Sequence, residues 1–395
     1  MPKLSLTDTE YMSRRSSLFR RTADDQIDAF VLWDPNNVSY FSRFAFVTTE
    51  RPMGYILTPD RSILFVPRME VEHATEIGLV DEVIWYPEYP GKKPPLTVLA
   101  DKLRDLGLAA KTIGIDGDGY GRVYGYRGPK LSDLLPDATL IDVVDEIEYM
   151  QMINSEEEIA LMREACKWGD LAQRRLHEFT AAGLSEIDIA DRATVAADAE
   201  MTAALGRDFR PRTMGGSPAF AGFGGAIGPA SSNPHALNNN AILQAGDNLI
   251  TWGAASVWGY SGELERTMIL GEPSADQERF FNLMVDAQTL AIDALRAGRT
   301  CASVDLEVLR FFEANDLMDY WRHHSGHANS TLIHEAPFLD EGDDRLIEPG
   351  MIFTVEPGIY VPGLGGFRHS DTILVTESGI EWLTDYPRDL ASLTV

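Results

Sequence analysis

The chain has 395 residues, 44% of them apolar, with 33 glycines and 21 prolines; that length exceeds one ordinary core, and the composition lies outside the disordered and fibrous classes. Its 61 acidic against 34 basic residues leave a formal charge of −27, which repels phosphate backbones and anionic lipid and argues against nucleic-acid and membrane partners. Cys166 and Cys301 are too few for a disulfide framework, the first residues lack the apolar core of a signal peptide and no run reaches transmembrane length, so the cytoplasm is the expected compartment.

Five apolar segments in the first part of the chain read as strands: residues 27–33 (IDAFVLW), 54–58 (GYILT), 62–67 (SILFVP), 80–87 (VDEVIWYP) and 112–117 (TIGIDG). Helical patterns lie between them in MEVEHATEIG and PLTVLADKLRDLGL, an alternation that belongs to an α/β domain over residues 1–150.

A second domain is expected over residues 151–395. It opens at NSEEEIALMREACKWGDLAQRRLHEF, where Ser155 with Glu158 forms a capping box and the acidic first turn suits the positive end of a helix dipole. Further capped helices start at Ser185 and Ser274, and a strand-rich block follows each pair of helices. The domain therefore reads as one motif used twice, two helices followed by antiparallel strands.

Residues 323–337, HHSGHANSTLIHEAP, hold four of the eight histidines. With SSNPHALNNNAILQAGDNLITW (231–252), GYSGELERT (259–267) and MIFTVEPGIYVPGLGGFRHSDTILVT (351–376), they resemble, in order and spacing, the pita-bread fold of methionine aminopeptidases, Xaa-Pro peptidases and creatinase. The resemblance implies an α/β N-terminal domain of the creatinase and prolidase type and an α+β pita-bread C-terminal domain with a pseudo-twofold internal repeat.

The metallopeptidases of that family hold two ions with two Asp, one His and two Glu. Carried over position by position, those ligands fall on Trp252, Glu263, His327, Glu356 and Ser370. An indole offers no lone pair and a hydroxyl is a poor ligand, so the expectation is a site with no metal and no cofactor. The resemblance also places catalytic histidines at His235 and His334, and Glu265, in LERT, matches an essential glutamate of metal-free creatinase.

Glu263 and Glu265, two apart on a strand, project to one face; with Glu356 they form an anionic wall for an organic cation, and Trp252 adds a π face. Tyr260 and Tyr360 are candidate pocket walls or core, while His323, His324 and His369 are expected at the surface or behind the site. Arg51 matches a creatinase arginine that reaches a neighbouring subunit's site and grips a substrate carboxylate, which implies a homodimer, and Phe338 falls where creatinase keeps a second such arginine. The resemblance narrows to ectoine hydrolase and implies a metal-independent hydrolase acting on a C–N bond that is not a peptide bond, opening the cyclic amidine of ectoine to N-acetyl-2,4-diaminobutyrate. Glu263 or Glu265 serves as nucleophile or base, and His235 or His327 as the proton donor. The alternatives are a creatinase-type amidinohydrolase on another guanidino compound, and a metal-dependent relative, either an Xaa-Pro peptidase or a dimethylsulfoniopropionate lyase.

Overall fold

The computed structural model describes residues 4–121, 125–206, 209–212 and 216–395. Contacts divide the chain into two units, Leu6–Gln151 and Met152–Val395.

The first unit runs α1 (Asp8–Arg21), β1 (Ala29–Leu32), α2 (Pro35–Ser42), β2 (Gly54–Leu57), β3 (Ser62–Pro67), α3 (Val71–Ile77), β4 (Glu82–Tyr86), α4 (Pro95–Asp105), β5 (Thr112–Ile115), α5 (Leu131–Leu134), β6 (Thr139–Asp142) and α6 (Val144–Met152). Its six strands lie in the order β4-β3-β2-β1-β5-β6. β1, β2 and β3 read as unbroken apolar runs because both faces of the sheet are covered at its centre. Val31, Ile56 and Phe65 join a core with Leu99 and Leu103 of α4, whereas Phe30, Tyr55 and Leu64 face one with Val38 and Phe41 of α2.

The second unit contains α7 (Glu156–Phe179), α8 (Glu186–Leu205), β7 (Ala219–Gly222), β8 (Asn248–Val257), β9 (Tyr260–Ser261), β10 (Leu264–Ile269), α9 (Ala275–Ala294), α10 (Cys301–Ala314), β11 (Gly326–Ala328), β12 (Glu335–Leu339), β13 (Ile352–Val355), β14 (Gly358–Val361), β15 (Gly365–Arg368), β16 (Asp371–Thr376) and β17 (Gly379–Trp382). Each half contributes two helices and then antiparallel strands, in sheets ordered β10-β8-β7 and β12-β11-β13-β16-β17. Ser155 accepts from the Glu158 amide at 3.3 Å while Glu158 accepts from the Ser155 amide at 2.8 Å, so the first helix of the unit starts where its local chemistry dictates. Ser274 and Gln277 form the same reciprocal cap on α9.

Helix α7 lies directly on β8 because both are notched at the contact. A Cβ on Gly253 would stand 3.0 Å from the Gly169 carbonyl oxygen, and one on Gly169 would stand 3.3 Å from the Ala254 Cα. A two-hydrogen-bond bridge joins the halves: the Glu265 amide donates to Ser370 O at 3.0 Å and the Ser370 amide to Glu265 O at 3.1 Å. That bridge brings the functional residues of β10 to those of the β15–β16 corner.

Candidate metal and catalytic site

Glu265 lies on β10 and Glu263 just before it, where the Glu263 amide donates to Thr372 Oγ1 at 2.9 Å and its carbonyl accepts from the same hydroxyl at 2.8 Å. Glu356 follows β13, its amide donating to Ser325 O at 2.8 Å. His327 on β11 is fully enclosed, with its amide on Thr354 Oγ1 at 3.3 Å. Backbone pairing thus gathers three carboxylates and one imidazole from three segments. The three carboxylates border a cleft of about 660 Å3 that is also lined by the apolar Phe223, Ile250, Trp252 and Ile333, with His327 buried behind them.

Two cations already sit among these carboxylates. The Arg368 guanidinium grips Glu265 with both Nε and Nη2, the latter at 2.6 Å from Oε1. Its Nε is also 3.6 Å from Glu356 Oε2. Nη1 donates to the Tyr360 hydroxyl at 3.1 Å, and that hydroxyl lies 2.7 Å from His323 Nε2. Since the hydroxyl accepts from arginine, its proton points to His323, and the other ring nitrogen of His323 donates to His324 O at 2.8 Å. This is a neutral imidazole, in keeping with burial, which pushes His323 down to about 4.

His327 differs. Its Nδ1 lies 3.0 Å from Ala328 O, which fixes the tautomer, and its Nε2 stands 3.0 Å from Glu356 Oε1. The second approach is a charge contact without hydrogen-bond alignment, so Nε2 is a buried ring atom with no directed partner. Burial works against a proton on this ring, but the Glu356 and Glu263 carboxylates outweigh it and hold His327 up to about 9. Burial alone would raise Glu356, yet His327 and Arg368 pull it down to about 2. Burial and the neighbouring Glu356 and Glu265 charges push Glu263 up to about 8. Burial also raises Glu265, against the opposing pull of Arg368.

The anionic wall is therefore corrected: Glu265 is bound by Arg368, Glu356 lies between Arg368 and His327, and burial with the neighbouring carboxylates shifts Glu263 toward its neutral form, so the wall is not an open anionic surface. Arg368 is the residue that sequence reasoning missed; an arginine in the otherwise apolar run GGFR was the available signal. His323 was expected at the surface or behind the site, but it lines the cleft. His369 is fully buried against Phe281, with ring centroids 5.2 Å apart.

The remaining expected residues separate into two groups. His235, Trp252 and His334 line the cleft with Glu263, Glu265 and Glu356. His334 stacks on His327 with ring centroids 3.9 Å apart, and burial lowers its proton affinity. Ser370 Oγ donates to Glu263 Oε1 at 2.8 Å. Tyr260 is turned away, its hydroxyl donating to Glu158 at 2.8 Å, and Phe338 packs on His324 beside a different, open pocket. Arg51, in the first unit, pairs with Glu50 at 2.6 Å and Glu88 at 2.7 Å.

A two-ion ligand set does not fit this arrangement. Trp252 presents an N–H donor and the Ser370 hydroxyl spends its proton on Glu263. One ion fits: donor atoms of Glu263, His327 and Glu356 all lie within 4.8 Å of one another, and carboxylate with imidazole suits a hard or borderline divalent ion. Metal independence therefore does not follow from Trp252 and Ser370.

The sequence profile described as "Metallopeptidase family M24" matches residues 160–377, and that of the Creatinase/Prolidase N-terminal domain matches residues 14–153. An uncharacterized peptidase of Bacillus subtilis is 31% identical over 296 residues, spanning 74% of this chain and 78% of its own. The Xaa-Pro dipeptidase of Pyrococcus furiosus is 28% identical over 380 residues, 95% of this chain and 99% of its own. A prolidase structure from Thermococcus sibiricus superposes with a TM-score of 0.82 over 99% of this chain and 100% of its own. At 22% identity that last likeness carries the fold alone. These relatives overturn the expectation of a hydrolase opening ectoine or acting on another non-peptide C–N bond: they are peptidases, and the carboxylates expected to meet an amidinium already have the Arg368 guanidinium on Glu265 and 3.6 Å from Glu356.

Proposed function

The chain belongs to metallopeptidase family M24, and from that premise we propose that it hydrolyses the peptide bond of Xaa-Pro dipeptides using one divalent ion. The observation that carries this reading is the convergence of Glu263, His327 and Glu356 donor atoms within 4.8 Å. An ion there supplies Lewis-acid polarisation of a carbonyl and makes water more acidic.

The chain's own residues supply the rest. Glu356 and Glu263 hold the charge in place, and the Nδ1 contact with Ala328 O points the His327 Nε2 lone pair inward once its proton has left. His334 stacks on His327 at the cleft and stays largely neutral at pH 7, so its ring can take or give a proton beside the reacting bond. His235 stands exposed at the rim of the same cleft. The apolar side formed by Phe223, Ile250, Trp252 and Ile333 suits a pyrrolidine ring and excludes water from it.

The test uses the full chain, freed of metal by chelation and reloaded with manganese, cobalt or zinc, with proline release measured from a series of Xaa-Pro dipeptides. Release that returns with metal supports the reading. Intact dipeptides together with no bound ion would overturn it.

A further inference from the structure

One cation at the cleft has no counter-charge. Arg322 lines it between the turn Met318–Tyr320 and β11, and it forms no ion pair with any described residue. Its Nη1 donates to Asp319 O at 2.8 Å and to Trp321 O at 2.7 Å, carbonyls that orient the guanidinium without neutralising it. Nε and Nη2 make no hydrogen bond among the described residues. The chain is held on both sides of this residue. Tyr320 packs on Phe280 with ring centroids 5.4 Å apart, and His323 Nε2 lies 2.7 Å from the Tyr360 hydroxyl. The fork is thus aimed by its backbone and not by a protein carboxylate.

We infer that Arg322 is the carboxylate anchor of the cleft, taking the free C-terminal carboxylate of the dipeptide and so favouring substrates that end at the proline. This deepens the Xaa-Pro reading above and rests on it for the identity of the ligand. Such a dipeptide carries a carboxylate on its pyrrolidine ring, and the other cations at the cleft are already engaged. Arg368 has Nε and Nη2 on Glu265 and Nη1 on the Tyr360 hydroxyl and Pro234 O. His324 stands 3.6 Å from Asp340. Phe338, where the resemblance to creatinase calls for a substrate-binding arginine, packs on His324 beside the other pocket and offers no charge. A guanidinium is permanently charged, and its fork matches a carboxylate with two parallel hydrogen bonds. A C-terminal amide keeps one acceptor and loses both the charge and the second oxygen, so the fork distinguishes the two.

The experiment compares an Xaa-Pro dipeptide with its C-terminal amide on the manganese-loaded full chain, measuring release of proline or prolinamide. Wild type is expected to show the lower KM for the acid. Arg322→Ala is expected to raise that KM at least about tenfold with kcat within about twofold, and to leave the amide unchanged. Arg322→Lys keeps the charge without the fork and falls between the two, which decides the question even if the alanine variant does not fold. An equal loss on acid and amide, or no loss on the acid, would overturn the inference and leave the dipeptidase reading standing. Wild type that cleaves neither peptide overturns the dipeptidase reading instead, and calorimetric binding of L-proline against L-prolinamide then judges Arg322 alone. A preference for proline that disappears in Arg322→Ala keeps the anchor for another small acid; no preference removes it.

Discussion

Asp170 offers a test of the second unit's interior that does not depend on any metal. It sits on α7 with Oδ2 accepting from the Asp385 amide at 2.9 Å, while Oδ1 is buried without a hydrogen-bond partner among the described residues. Burial is the main cause that pushes this carboxyl up to about 7; the Asp385 amide and Arg266 oppose it, and the charges of Asp371 and Asp385 add to it. In the unfolded chain the same group titrates near 3.9. The native state thus holds the proton more tightly. The stabilisation this gives is full below about pH 4 and is lost as pH rises through about 7. The gap corresponds to about 4 kcal/mol at the limit, and to about 2–4 kcal/mol once residual hydration is allowed for.

Asp170→Asn keeps the shape and the acceptor for the Asp385 amide but cannot ionise. At pH 5, already above the unfolded-state value, the variant is expected to be more stable than wild type by only about 1–1.5 kcal/mol. At pH 8.5 the variant is more stable by about 2–4 kcal/mol, or about 5–10 °C in Tm for a unit of this size. Thermal and urea denaturation of both proteins at the two pH values gives the difference directly and cancels every other titrating group. An equal difference at pH 5 and pH 8.5 would refute the reasoning.

Metal binding to the apo protein is expected to release a proton from His327, which is held up to about 9. The apparent Kd for manganese therefore falls by at least about tenfold for each pH unit from 6 to 8 and levels off near 9, as calorimetry will record. Arg266, fully buried, pairs with Asp371 at 2.8 Å; Arg266→Met leaves that buried carboxylate with only Thr384, Gln288 and the more distant Arg388 and is expected to cost about 3 kcal/mol in urea denaturation. Gly253→Val drives a side chain into the Gly169 carbonyl, where even a Cβ has only 3.0 Å, and should lower stability by about 1–3 kcal/mol without changing the manganese count.

The parts of the fold that could be read from the sequence are those in which local chemistry decides. The reciprocal caps at Ser155 and Ser274 need only residues three apart, and β1, β2 and β3 show as apolar runs because both faces of their sheet are covered. Within the site, the order of the four quoted segments was enough to bring Glu263, Glu265, Glu356 and His327 forward. The charge balance was not legible. It depends on Arg368 reaching Glu265 across 103 positions of sequence, through a sheet bridge between Glu265 and Ser370 that no periodicity encodes. His323 escaped for the same reason: its role comes from the Tyr360 hydroxyl, 37 positions away. Tyr260 was drawn toward the site by its neighbours in sequence, whereas its hydroxyl is needed to satisfy Glu158 at the start of α7.

The departures at Trp252, Glu265 and Ser370 make sense as one set. Trp252 and Glu265 are direct partners in the β8–β10 register, and Ser370 bridges to Glu265 and hydrogen-bonds Glu263. Removing acceptors at positions 252 and 370 leaves a second ion without ligands. Placing a carboxylate at position 265 gives the Arg368 guanidinium a bidentate partner in a buried place where an unpaired cation would be costly.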